Sequence, residues 1–437
     1  MIITSPKLAR RLNSSSPIQL AMFASITSFC LYSCIYTFRR TFAVATFHDL
    51  IFLGVQYKVW LVIFQVVGYA LAKIIGITVV AELKRETRAK YIVTMISLSA
   101  LSWFLFGLIP APWNLLFLFS NGLSLGMIWG IIFNYLEGRK TTEVLAIGLS
   151  ISFIFSSGMA KSVGGFLMLS GISPFWMPFV TCLLFALPLL FFLNLLNHLP
   201  PPTSEDEALR TRRHPMSGQD RRLFFFTFWP GILLFIASYI LLTSFRDFRD
   251  NFASEIWTTL GYGANPEIFT TAELPSVIIV LVMAIGIMFV RGNMMAFLLN
   301  HLLIFIGFVV IGIGCWLFQT YLISPLYMMI IIGTGLYMAY VPFNSIFFDR
   351  MLAAFRYSGT VGFIMYLSDS FGYLGSIGVL FFKEFGFVKI SWLNFFISSG
   401  YIISIAGSTL VLGSMLYFHK KHMSWSKTQV PATKVSV

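Results

Sequence analysis

Hydrophobic positions along this chain do not alternate with polar ones; they come in nearly unbroken stretches of about twenty residues, separated by short polar breaks. A helix needs about 20 apolar residues to cross the hydrocarbon layer, and lipid tolerates only segments whose backbone groups bond internally. Six such stretches fall at about residues 20–46 (α1), 59–81 (α2), 91–110 (α3), 112–134 (α4), 144–169 (α5) and 173–197 (α6). Six more follow at about 224–254 (α7), 274–290 (α8), 294–318 (α9), 323–347 (α10), 357–382 (α11) and 390–417 (α12). The pattern predicts an all-α membrane protein of twelve transmembrane helices in two pseudo-symmetric six-helix bundles. Residues 1–197 form the first bundle and 224–417 the second. The segment 198–223, with Pro200, Pro201, Pro202, an acidic run and five arginines, reads as a solvated linker. Residues 418–437 read as a tail.

Composition agrees with this division. The 437 residues are 57% hydrophobic and only 11% charged, against about 25% charged in a soluble domain, which leaves no room for a soluble catalytic domain. The net charge of +13 is a topology signal rather than a nucleic-acid footprint. With the N-terminus inside, 21 cations fall in inner loops, linker and tails, against three (Lys58, Lys383, Lys389) in outer loops. Both termini are therefore expected to be cytoplasmic, in a multi-pass protein of the cell (inner) membrane. The start, Lys7 to Arg11 before a long span with no small-residue cleavage site, reads as a retained first helix. Cys30, Cys34, Cys182 and Cys315 lie in apolar runs and read as small buried hydrophobes.

Six cations remain within the spans: Arg39, Arg40, Lys73, Lys161, Arg246 and Arg249, beside three acids, Asp247, Asp250 and Asp369. Each costs about 2.5 to 3.5 kcal/mol at a helix centre, so they must line a cavity or pair. The surplus of three positive charges points to an anion-trapping cavity. Arg39-Arg40-Thr41-Phe42-Ala43 in α1 aligns with Arg249-Asp250-Asn251-Phe252-Ala253 in α7, so each half contributes an arginine about a pseudo-two-fold axis. Tyr32, Tyr36 and Arg39 or Arg40 share one face of α1, and Tyr69 lies one turn before Lys73 in α2. Arg246 can pair with Asp250 at i,i+4, which favours Arg249 as the α7 substrate cation. Two cationic halves are expected to repel until an anion draws them together.

These residues resemble the major facilitator superfamily, and within it the organophosphate:phosphate antiporter group of glycerol-3-phosphate, hexose-phosphate and glucose-6-phosphate transporters. Tyr36-Thr37-Phe38-Arg39-Arg40-Thr41-Phe42-Ala43 is similar to that group's helix-1 segment, whose arginine binds phosphate. Gly68-Tyr69-Ala70-Leu71-Ala72-Lys73 resembles its helix-2 segment, Ala160-Lys161-Ser162-Val163-Gly164-Gly165 its helix-5 segment, and Phe371-Gly372-Tyr373-Leu374-Gly375 its helix-11 signature. The resemblance implies phosphate-binding roles for these cations and tyrosines. Lys161 in place of a histidine, Asp247 and Asp250 in α7, Asp369 in α11 and a degenerate loop after α2 depart from the group and suggest a separate branch.

The expected function is secondary active transport of an organic or phosphorylated anion by alternating access, through exchange or proton coupling. Its substrate-binding residues are expected to be Arg39, Arg40, Lys73, Lys161, Arg249, Tyr36, Tyr69 and Tyr373, with Asp369 as the proton-coupling candidate. Phosphate or a proton is the candidate coupling ion, the bilayer the surrounding partner, and the chain is expected to act as a monomer. The alternative is a non-transporting membrane sensor for a phosphorylated anion. An ATP-driven pump is disfavoured because no phosphate-binding loop ending in Gly-Lys-Ser/Thr occurs, and an enzyme because the loops are short. No metal and no cofactor is expected, since the six histidines are scattered.

Overall fold

The computed structural model describes residues 6–139, 141–203, 218–345, 347–355, 361–386 and 390–428. The linker arginines Arg210, Arg212 and Arg213, together with Lys140, Arg356, Lys389 and Lys434, lie outside the described residues. Each predicted stretch is helical, because a continuous apolar run in lipid satisfies its backbone only within itself. The first half contains α1 (Pro17–Arg40), α2 (Tyr57–Glu82), α3 (Arg85–Leu108), α4 (Leu115–Leu125 and Ile128–Leu136), α5 (Thr142–Leu169) and α6 (Met177–Asn197). The second contains α7 (Gly218–Asn251), α8 (Leu274–Met288, after a turn at Ile268–Thr271), α9 (Asn293–Gln319), α10 (Pro325–Ser345), α11 (Val361–Phe385) and α12 (Trp392–Thr428). Eleven of these are long and apolar enough to cross a membrane. The remaining one, α11, is 25 residues long and carries Asp369, Lys383 and Glu384.

Several boundaries differ from the pattern: α3 starts at Arg85 rather than 91, and α7 starts at Gly218 rather than 224, within the segment read as linker. Helix α1 ends at Arg40 and tightens into a 3₁₀ turn over Thr41–Val44, where residues up to 46 were expected to continue the span. Helix α12 runs through Thr428, beyond the predicted limit of 417, because its last turns still have an apolar face to bury: Phe418 is fully buried against Phe297 and Phe228.

The packing repeats between halves. Helix α1 packs on α5 and α6 as α7 does on α11 and α12, and α2 packs on α4 as α8 does on α10. The halves meet where α2 faces α11 and α5 faces α8. Small residues permit the closest approaches. A Cβ on Gly122 of α4 would stand 2.1 Å from the Gln65 carbonyl oxygen of α2, so the two backbones touch only because no side chain intervenes. Gly335 of α10 meets Gly307 of α9 in the same way.

Candidate anion site between the two halves

The end of α1 is built by polar groups from three neighbouring helices. Where the helix gives way to the 3₁₀ turn, its last carbonyls need new donors. Trp103 Nε1 donates to the Phe38 carbonyl at 2.5 Å, Asn121 Nδ2 to the same oxygen at 3.1 Å, and Gln65 Nε2 to the Arg39 carbonyl at 2.9 Å. Gln65 and Asn121 bond each other at 2.8 Å. The backbone carrying Arg39 and Arg40 is thus fixed by α2, α3 and α4.

Between the halves lies a small cavity of about 20 Å³, lined by Tyr32, Tyr36 and Arg39 of α1, Tyr69 and Lys73 of α2, and Trp129 and Phe153 of α4 and α5. The second half contributes Arg246, Tyr340, Asn344, Asp369 and Tyr373. The Arg39 guanidinium sits 3.7 Å above the Tyr69 ring, is 5% exposed, and has no carboxylate within ion-pair distance among the described residues. Its Nε and Nη2 are buried without a hydrogen-bond partner. These two atoms form the edge of a guanidinium that a carboxylate or phosphate engages bidentately. The other cations here are occupied. Lys73 Nζ lies 3.1 Å from Asp369, which also accepts a 2.5 Å hydrogen bond from Tyr239. Arg246 lies 2.9 Å from Asp247 and over Tyr340 at 4.2 Å. Tyr69 and Tyr373 meet edge to face across the halves at 5.1 Å.

Of the nine residues expected in the site, Arg39, Lys73, Tyr36, Tyr69, Tyr373 and Asp369 line this cavity. Arg40, Lys161 and Arg249 do not; each is held in ion pairs away from the cavity. Arg40 contacts Asp247 (3.2 Å), Asp250 (3.0 Å) and Asn251, and Lys161 contacts Asp250, which also accepts from Ser157. Arg249 turns to Glu273 of the α8 approach at 2.7 Å and donates to the Met329 carbonyl. Arg246, in contrast, takes Asp247 rather than Asp250 as partner and faces the cavity.

Three ionic groups fall one residue outside the predicted spans and were missed: Lys58, Glu255 and Glu273, all buried. Lys58, assigned to an outer loop by sequence, is 0% exposed and bonds Glu255 at 2.7 and 2.8 Å and the Ala43 carbonyl at 2.7 Å. Burial pushes the Glu255 carboxyl up, against the opposing pull of Lys58. With these three included, seven interior cations face five carboxylates among the described residues, a surplus of two rather than three. The expected repulsion between cationic halves does not hold either, because the first half's cations meet the second half's carboxylates.

Residues 41–421 match a family described as a family of unknown function (DUF5690). The chain belongs to that family. No curated protein matches its sequence. Among solved structures, a D-xylose-proton symporter is similar with a TM-score of 0.61 and 16% identity, over 92% of this chain and 97% of that one. A bacterial homologue of the human drug peptide transporters gives 0.60 and 12% over 93% and 100%, and a nucleoside transporter 0.58 and 14% over 91% and 100%. At these identities the likeness establishes the fold alone, the two six-helix bundles shared with these transporters.

Proposed function

We propose that this protein is a secondary transporter of a small organic or phosphorylated anion, working by alternating access as a monomer in the cell membrane, with both termini cytoplasmic. The observation that carries the anion is Arg39: a buried guanidinium with its bidentate edge unpartnered, beside a cavity between two repeated halves. A charge kept in the membrane interior without a counter-ion is costly, and an arriving oxyanion offsets that cost. Arg246, Lys73 and the hydroxyls of Tyr36, Tyr69 and Tyr373 surround the same space and supply further donors. Arg40, Lys161 and Arg249 act one step away, through the carboxylates that hold them. The fold, shared with solved sugar, nucleoside and peptide transporters, supports movement of the ligand rather than chemistry on it.

The test is a thermal-shift screen of detergent-purified protein against phosphorylated sugars, nucleotides, peptidoglycan fragments and carboxylates. Uptake of the best ligand into proteoliposomes follows, with and without a proton gradient or internal phosphate. Stabilisation by anions and accumulation in vesicles are expected. Binding without uptake under any gradient would leave a sensor and reject the transporter, and preference for neutral or cationic ligands would reject the anion.

A further inference from the structure

The ion pairs that join the halves have one polarity. Arg40, Lys58, Lys73 and Lys161 of the first half reach Asp247, Asp250, Glu255 and Asp369 of the second, and among the described residues no inter-half pair runs the other way. Three of the four cations cluster where α1 ends, α2 begins and α7 ends, the end predicted to face outward. In the aligned repeat segments, Arg40 and Asp250 hold equivalent positions, and they lie 3.0 Å apart. Two equivalent residues meet only on the pseudo-two-fold axis. Opposite charges at those positions close the outer end along the axis itself. Lys58 with Glu255 closes it to one side, and Lys161 with Asp250 ties α5 to the same centre.

The fourth cation differs. Lys73 lies sixteen residues, about 24 Å of helix, from the outer start of α2. Lys73 and Asp369 both line the cavity, whereas Arg40, Lys58, Lys161, Asp247, Asp250 and Glu255 are absent from its walls. A ligand in the cavity can therefore touch the inner pair and no carboxylate of the outer cluster.

We infer that the protein carries two inter-half charge locks, an outer one centred on Arg40–Asp250 with Lys161 and Lys58–Glu255, and an inner one, Lys73–Asp369, whose two partners both stand in the cavity wall where the bound anion reaches them. An anion on Arg39 competes with Asp369 for Lys73 and loosens the inner contact between α2 and α11, while the outer lock stays shut. The ligand thus biases opening toward the inner face. This rests on the alternating-access reading above.

The test places one reporter, Phe153→Cys, in the cavity wall of a chain whose four native cysteines are replaced. A membrane-impermeant thiol reagent is then applied to right-side-out and inverted vesicles. With the locks intact, labelling is slow from both sides. Asp369→Asn should raise labelling from the inner side by roughly tenfold or more and leave the outer side unchanged. Asp250→Asn and Glu255→Gln should do the reverse. The exchange Lys58→Glu with Glu255→Lys should return outer labelling toward its original rate, which separates a lock from general loosening of the fold. The inference is overturned if Asp369→Asn opens the outer face, if neither class changes labelling, or if the exchanged pair stays open. Labelling as expected with no uptake by any form would instead overturn the transporter reading alone.

Discussion

Arg39 and Arg249 occupy the same place in the two repeats yet serve different ends, and the difference is set by one neighbour each. Arg39 finds an aromatic face and no acid; Arg249 finds Glu273 at 2.7 Å. Replacing Arg39 by alanine should weaken anion binding by roughly 2 kcal/mol or more, about thirtyfold in Kd, by calorimetry with the best ligand from the screen. Arg39→Lys should be nearly as harmful, because an ammonium cannot present two parallel donors. Normal affinity in the lysine variant would exclude bidentate recognition. Arg249→Ala should behave differently: it strands Glu273 in the interior and should cost about 3 to 5 kcal/mol of stability, read as a large fall in melting temperature. The double variant Arg249→Leu with Glu273→Leu should recover most of that loss while the ligand still binds. The sequence singled out Arg39, Lys73, Tyr36, Tyr69 and Tyr373 of the cavity wall because each is a polar residue in an otherwise apolar run, but not Tyr340. It did not carry the choice between Arg246 and Arg249, because helical spacing locates a residue on its own helix but says nothing of which acid the next helix brings. Glu273, Glu255 and Lys58 were lost for a simpler reason: each abuts the edge of an apolar run, where a one-residue shift in the boundary moves a charge from interior to loop.

At the scale of helices, the apolar runs specified all twelve long helices, eleven of them long and apolar enough to cross a membrane, because lipid removes every alternative way of satisfying the backbone. Which helices touch is set by small residues whose partners are remote in sequence. Gly68 and Gly122 let α2 and α4 meet backbone to backbone, and α4 in turn delivers Asn121 to the end of α1. Gly122→Leu should therefore separate α2 from α4, release Gln65 and Asn121 from the carbonyls of Arg39 and Phe38, and lose anion binding together with thermal stability. Gly286, with nothing within 4 Å of its would-be Cβ, is the control: Gly286→Ala should leave both properties within error. Binding retained in the Gly122→Leu protein would mean that the Arg39 end is positioned by something other than the α2–α4 contact.

For the whole molecule, the pairing of cationic first half with acidic second half replaces repulsion with complementarity. Among the described residues five ion pairs, made by four cations, cross the interface, along with the contacts of α2 with α11 and of α5 with α8. Desolvating these charges is costly, so each side strongly prefers its matched partner to lipid or to another copy of itself. The covalent connection between halves is then not what holds them together. Two polypeptides, one ending near residue 203 and one starting near 218, should assemble when co-expressed. An affinity tag on the first should retain the second in mild detergent, and the assembled pair should show the same anion-induced thermal shift as the intact chain. Reversing one half's contribution, by Asp250→Lys and Glu255→Lys together, should abolish the co-purification while leaving each half in the membrane fraction. Halves that separate despite matched charges would show that the interface depends on the linker, and the polarity of its ion pairs would then select a conformation rather than a partner.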